Sequence, residues 1–183
     1  MTNSIAKHRY TGEQIQFLET THTHSLIEVT LPPNGDGPPL HKHDQYRETF
    51  TVVSGTLEVT IQKEKFTLTA GQSATVELNQ NHRFTNSSNE AVTFQVELTP
   101  ACDFESAVRI HYGLMDDGYT DEKGNPINSA HLAVILYLQN TWIAGVPIGI
   151  QRSIAKFLIR RANRKGQLDL LERYADISAI KSL

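Results

Sequence analysis

The chain of 183 residues has a single cysteine, Cys102, so it can form no internal disulfide and holds no paired-cysteine metal or redox motif. Neither sign of charge dominates. Lys and Arg number 17 against 20 Asp and Glu, a net of -3, which excludes a chain drawn to nucleic acid by its overall charge. At 39% hydrophobic it is too apolar for wholesale disorder. The stretch 132–150 is the nearest approach to a membrane span, but Gln139-Asn140-Thr141 interrupts it and Gly145, Pro147 and Gly149 weaken it, so an integral span is not expected. The opening Met1-Thr2-Asn3-Ser4-Ile5-Ala6-Lys7 lacks the apolar block of a secretory signal, and a soluble, cytoplasmic protein is the expectation. The length suits one full hydrophobic core with a small appendage.

What is present changes character near Pro100. Six of the eight histidines lie in 1–100; that segment holds 7 basic and 11 acidic residues (net -4), whereas 101–183 holds 10 and 9 (net +1). Up to Pro100 the apolar pattern has period two. Leu57, Val59 and Ile61 alternate with polar neighbours, as do Val92, Phe94, Val96 and Leu98, Ala74, Val76 and Leu78, and Glu48, Phe50 and Val52. Further strands are expected over 15–20, 25–31, 65–68 and 82–86. Eight or nine short strands punctuated by Gly, Asn and Pro clusters read as a β-sandwich or barrel.

The informative stretch runs from Gly35 to Asn86. His41 and His43 are two apart, so on extended chain both imidazoles point one way. Glu48 follows at the head of a strand, and His82 lies just after one, with Phe84 on its own face. Three imidazoles and a carboxylate meeting inside a barrel would hold one divalent transition ion (iron, manganese, nickel, copper or zinc). Gly55 and Gly71 sit where strands must turn tightly, at expected positive φ.

These residues resemble the cupin family. Its first motif, G(X)5HXH(X)3–4E(X)6G, is matched at every fixed position by Gly35, His41, His43, Glu48 and Gly55. Its second, G(X)5PXG(X)2H(X)3N, is matched by Gly71, His82 and Asn86, with Glu77 standing at the proline and Asn79 at the second glycine. Asn79 can adopt the left-handed conformation that a glycine would supply. The resemblance implies a mainly β fold, a double-stranded β-helix or jelly-roll barrel, with His41, His43, Glu48 and His82 as metal ligands. An upstream echo, His22-Thr23-His24 with Glu28 and Gly35, lacks the leading glycine and is read as a solvated hairpin tip.

After Pro100 the period becomes helical, giving a barrel domain over 1–100 and a helical extension over 101–183 packed on the barrel or on a dimer partner. Asp103 can cap a helix to about Met115, with Phe104, Ala107, Val108, His111 and Leu114 along one side. A loop follows to Pro126. Asn128 or Ser129 caps a second helix through the apolar run Leu132 to Leu138, and Pro147 opens a third that ends near Gly166. A short helix is expected over 167–175. On the third helix Ile150, Ile154, Phe157, Leu158 and Ala162 are expected to face inward. Arg152, Lys156, Arg160, Arg161, Arg164 and Lys165 leave it strongly basic, with the acidic loop residues Asp116, Asp117, Asp121 and Glu122 as the nearest counter-charges. Peripheral contact with an acidic membrane surface through 152–165 is left open; nucleic-acid binding is not expected.

Four protein ligands leave one or two positions for a small substrate. Glu48 either ligates or moves a proton, and the expected lining of Phe50, Val52, Val59, Ile61, Val76 and Phe84 favours a flat or partly apolar molecule. Resemblance to quercetinase-like single-barrel cupins implies a metal-dependent dioxygenase acting on an enolic, phenolic or carboxylate substrate. A metal-assisted isomerase, epimerase or lyase and a non-catalytic small-molecule sensor are the alternatives. Cupins commonly pair through barrel edges, so a homodimer is expected.

Overall fold

The computed structural model describes residues 5–183; the first four, part of the stretch read above for a signal, lie outside it. The chain divides into two compact units, one up to Cys102 and one from Asp103 to Leu183.

In the first unit, β1 (Ile5–Lys7), β2 (Gln14–Thr20), β3 (Ser25–Leu31), β4 (His41–Lys42), β5 (Arg47–Ser54), β6 (Thr56–Ile61), β7 (Glu64–Thr69), β8 (Ser73–Val76), β9 (His82–Thr85) and β10 (Val92–Thr99) form two antiparallel sheets. One runs β1-β2-β3-β10-β5-β8; the other, within this unit, runs β4-β9-β6-β7. This is the double-stranded β-helix. The alternation seen in the sequence is the burial pattern: Phe50, Val52, Leu57, Val59, Val92, Phe94, Val96 and Leu98 are buried, while their neighbours in the strands are more exposed. Leu78 is the exception, lying beyond the end of β8 and exposed. Strands β1 and β4 are additions to the sequence reading. Each is too short, at three and two residues, for a periodic signal.

Gly55 and Gly71 adopt φ of +82° and +83°, and Asn79 adopts +66°. At Gly55 a side chain is excluded twice over, because a Cβ would stand 2.7 Å from the Ala91 carbonyl oxygen. The echo at His22 and His24 is a turn between β2 and β3, closed by Thr21 N–H donating to the His24 carbonyl at 2.9 Å, with His22 exposed.

The second unit holds α1 (Phe104–Asp116), α2 (Ser129–Leu138), α3 (Ile148–Asn163), a 3-10 turn (Asp169–Arg173) and α4 (Ser178–Lys181). Asn128 caps α2 by accepting from Ala130 N–H at 2.9 Å, and Pro147 immediately precedes α3. Helix α3 ends at Asn163, three residues before Gly166, and α4 has no forerunner in the sequence reading. The buried members of the apolar run on α2, among them Val134, Ile135 and Leu138, belong to the core of this unit with Ile110, Leu114, Ile159, Leu168 and Leu171. No helix of the described residues is long and apolar enough to cross a membrane.

The orientation of α3 is a correction. The expected inward stripe is largely outward: Ile150 and Ile154 are each 55% exposed and Phe157 61%. Of the expected stripe Ala162 is buried and Leu158 packs partly buried against the core, and the other buried positions are Ala155 and Ile159. Two alanines bracketing one isoleucine let α3 lie close against α2, with which they share a core that also holds Ala130 and Ala133, and close packing outweighs the larger side chains of the other face. The acidic loop is also engaged elsewhere. Asp117 pairs with Arg173 at 3.2 Å and accepts from the Tyr174 hydroxyl, and Asp121 accepts from the backbone N–H groups of Lys123 and Asn125.

Candidate metal centre

The strand registers bring His41, His43, Glu48 and His82 together. His41 on β4 pairs directly with His82 on β9, whose other neighbour is Ile61 on β6. Glu48 comes from the opposite sheet, on β5 between Leu98 of β10 and Val76 of β8. The centre thus lies between the two sheets, three imidazoles facing one carboxylate. All four residues are buried, with His82 at 0% exposure.

One donor atom from each lies within 4.8 Å of every other. Bonds of about 2.1 Å to a common ion would set donors roughly 3 to 4.2 Å apart, so a small contraction suffices for ligation. The nitrogens are aimed accordingly. His41 Nδ1–H donates to the Pro39 carbonyl at 2.8 Å, and His82 Nδ1–H to the Gln80 carbonyl at 3.0 Å, which turns both Nε2 atoms inward. Glu48 Oε2 is 2.8 Å from His82 Nε2, and Oε1 is 3.5 Å from His43 Nε2.

The electrostatics describe a place that attracts positive charge. Burial raises the Glu48 carboxyl, but the adjoining imidazoles of His43 and His82 overcome it and hold the group well below the usual carboxylate range. Burial is the largest influence on His82 and lowers it, yet the bond to Glu48, the carboxylate charge and the bond to the Gln80 carbonyl together carry the net shift upward; both ring nitrogens face acceptors, as an imidazolium requires. His41 is pushed down to about 3 by burial and by the neighbouring His82 and His43, so it presents a neutral ring. A neutral nitrogen donor, a carboxylate held ionised and a nitrogen already opposite that carboxylate make a donor set that fits a divalent transition ion.

Two features of the site were not read from the sequence. Tyr46 lies in the short, otherwise polar connection between His43 and Glu48, and it is 1% exposed. Its ring stacks on His43 with centroids 4.3 Å apart, and its hydroxyl oxygen is 3.4 Å from His43 Nε2. An aromatic among Asp44, Gln45 and Arg47 was the available signal. The second is the device that accommodates Glu77. Proline would lack an N–H there; the Glu77 N–H is satisfied by the Gln80 side-chain oxygen at 2.9 Å. The turn closes through Gln80 N–H to the Glu77 carbonyl, and Asn79 N–H donates to the His43 carbonyl at 2.7 Å.

Behind the imidazoles is an aromatic wall. Phe50 is 6.4 Å from the His82 ring, centroid to centroid, 5.6 Å from Phe84 and 6.2 Å from Phe94. Val52, Val59 and Val76 of the expected lining are buried, while Ile61 and Phe84 are half-buried.

Residues 27–98 match the family model described as Cupin domain. No curated protein matches the chain. Among solved structures, an RmlC-like cupin from Shewanella frigidimarina is similar at 21% identity over 55% of this chain and 86% of that one, with a TM-score of 0.48. KdgF from Halomonas sp. is 20% identical over 53% and 88%, with a TM-score of 0.49. A protein from Silicibacter pomeroyi described as a sugar phosphate isomerase from a cupin superfamily is 21% identical over 50% and 62%, with a TM-score of 0.47.

Proposed function

We propose, from the match of residues 27–98 to the cupin-domain model, that the chain is a metal-dependent enzyme of the oxygenase type. His41, His43, Glu48 and His82 would hold one divalent transition ion. The substrate class is a small enolic, phenolic or carboxylate molecule. The observation that carries this reading is the convergence of three imidazole nitrogens and one carboxylate, all buried and within 4.8 Å of one another, against a wall of phenylalanines. A bound ion supplies positive charge to polarise a substrate oxygen and, if redox-active, electron-transfer capacity for oxygen chemistry.

The remaining work falls to the chain. Phe50, Phe84 and Phe94 favour a flat, partly apolar substrate and keep water from its ring. Glu48, held ionised, can take a proton from a substrate hydroxyl or carbon. The Tyr46 hydroxyl, 3.4 Å from His43 Nε2, would stand beside a substrate oxygen bound at that edge of the site and could donate to it.

Metal analysis of protein purified without added metal, combined with oxygen uptake, tests the reading. Iron, copper, nickel or manganese with oxygen consumed in step with substrate supports it. Zinc with oxygen-independent turnover would replace it with the second reading, a metal-assisted isomerase, epimerase or lyase. That reading is favoured by the Tyr46 hydroxyl and the Glu48 carboxylate flanking His43, an acid and a base at one centre. Tight ligand binding without turnover would overturn both in favour of a sensor. We further propose a homodimer through the barrel edges, since β8 and β7 end their sheets within this unit and β7 is mostly exposed; a monomeric mass in sedimentation would refute it.

A further inference from the structure

The outward face of α3 is unlike the rest of the helical unit. Ile150, Ile154 and Phe157 follow one another at i, i+4 and i+7 along it, all more than half exposed. Ile143 and Val146, 38% and 42% exposed, extend the row at its N-terminal end. They are fixed there by Gln151, whose side chain accepts from Ile143 N–H and donates to the carbonyls of Ile143 and Val146, each at 3.0 Å. At the other end the same face continues as Arg160, Arg161, Arg164 and Lys165, all exposed. From Lys123 to Leu168 the chain has no acidic residue.

We propose that this face binds an anionic lipid surface, with Ile150, Ile154 and Phe157 entering the boundary between headgroups and acyl chains and the four cations at the level of the lipid phosphates and carboxylates. A helix of 16 residues, about 24 Å long, lying in the interface plane matches this division of apolar and cationic side chains. Charge and shape select this occupant. A second copy presenting the same face brings no acidic group. Side by side in parallel its cations meet cations, and in antiparallel they meet the partner's isoleucines and phenylalanine. The cations, at 160, 161, 164 and 165, are spread over more than one turn, which suits a deformable, evenly charged plane.

The test is co-flotation of the full-length protein with vesicles of phosphatidylcholine and phosphatidylserine in equal parts, against phosphatidylcholine alone. The wild-type chain floats with the mixed vesicles, less so as salt rises, and does not float with the neutral ones. Arg161→Gln with Arg164→Gln weakens flotation about 25-fold, at roughly fivefold per charge. Ile154→Ser with Phe157→Ser weakens it by about tenfold or more. All four positions are exposed, and unchanged circular dichroism confirms that the variants are folded. Failure to float with the mixed vesicles overturns the proposal, as does equal flotation with neutral vesicles or flotation indifferent to both variants. Capture of poly-glutamate in place of vesicles would assign the face to an acidic protein. A dimer split by Ile154→Ser with Phe157→Ser would assign it to a second copy; either outcome refutes the lipid assignment.

Discussion

The phenol of Tyr46 lies over the ring of His43, with an interplanar angle of 23° and its oxygen 3.4 Å from the nitrogen that faces the centre. The aromatic stack fixes the imidazole plane, and the hydroxyl adds a proton donor at the same edge. Tyr46→Phe keeps the stack and removes only the donor. Metal content should therefore be unchanged, while turnover falls about 10- to 100-fold. Elemental analysis beside steady-state kinetics checks both halves. Lost metal would show that the hydroxyl positions His43, and unaltered turnover would show that it donates to nothing in the reaction.

His43→Ala should abolish both stoichiometric metal and turnover, because it removes one of three nitrogens from a compact donor set. Glu48→Gln keeps an oxygen at the same place but withdraws the charge opposite His82. Metal titration should show weakened binding with the fold retained. Full metal occupancy in His43→Ala would refute the assignment of these ligands.

Asn86, the last residue of the second motif, is buried at 1% and touches none of the donors. Its side-chain amide donates to the carbonyls of Pro32 and Glu90, each at 2.8 Å, and its oxygen accepts from the Ser88 backbone and hydroxyl. Asn86→Asp preserves the shape and turns two donors into an acceptor facing two carbonyls. We expect a loss of about 3 kcal/mol, measured by denaturant unfolding. A loss below about 0.5 kcal/mol would mean that the loops 32–38 and 86–91 are held by other contacts.

His111 gives the helical unit a pH dependence independent of the metal donors. Burial lowers it from its ordinary value near 6.5, partly offset by its bond to the Gly124 carbonyl at 2.8 Å. The unfolded chain then binds a proton more readily than the folded one. The contribution is complete above about pH 6.5 and is lost as pH falls from there toward the depressed folded value. His111→Gln should flatten the fall in melting temperature over that window. An identical pH profile in the variant would count against the shift.

Gly113 packs its bare Cα against the Tyr174 ring, where an added Cβ would stand 2.3 Å from a ring carbon. Gly113→Ala must displace Tyr174 and strain its bond to Asp117. A destabilisation of about 1–3 kcal/mol is expected despite alanine's better helix propensity. A gain in melting temperature would show that the ring moves freely.

How much could be read in advance follows from where each signal resides. His41, His43, Glu48 and His82 were legible through the spacing of the two motifs that resemble the cupin pattern; for His41 and His43, strand geometry also ties direction to spacing, and a two-residue interval means one face. The barrel strands were legible for the same reason. The α3 orientation was not, because the helix carries two apolar rows and side-chain size favours the wrong one. Ala155 and Ile159 are turned inward by helix packing, a property of the neighbour and not of α3 alone. Tyr46 escaped because a connection of four residues has no period from which to infer its direction. The short helix expected over 167–175 is present as the 3-10 turn at Asp169–Arg173, whereas the four-residue α4 is too short to show a repeat.

Gln80 serves two masters: its side-chain oxygen takes the Glu77 N–H, and its main-chain carbonyl holds the His82 imidazole. Positions 77 and 80 should therefore behave epistatically. Replacing Gln80 by alanine removes the side-chain acceptor of that exposed amide and keeps the carbonyl that holds His82, whereas the same replacement beside a proline at 77 has no such hydrogen bond to lose. Among relatives of this chain, proline at the first place should free the second to vary, and a non-proline residue should bring with it a side chain that can accept a hydrogen bond.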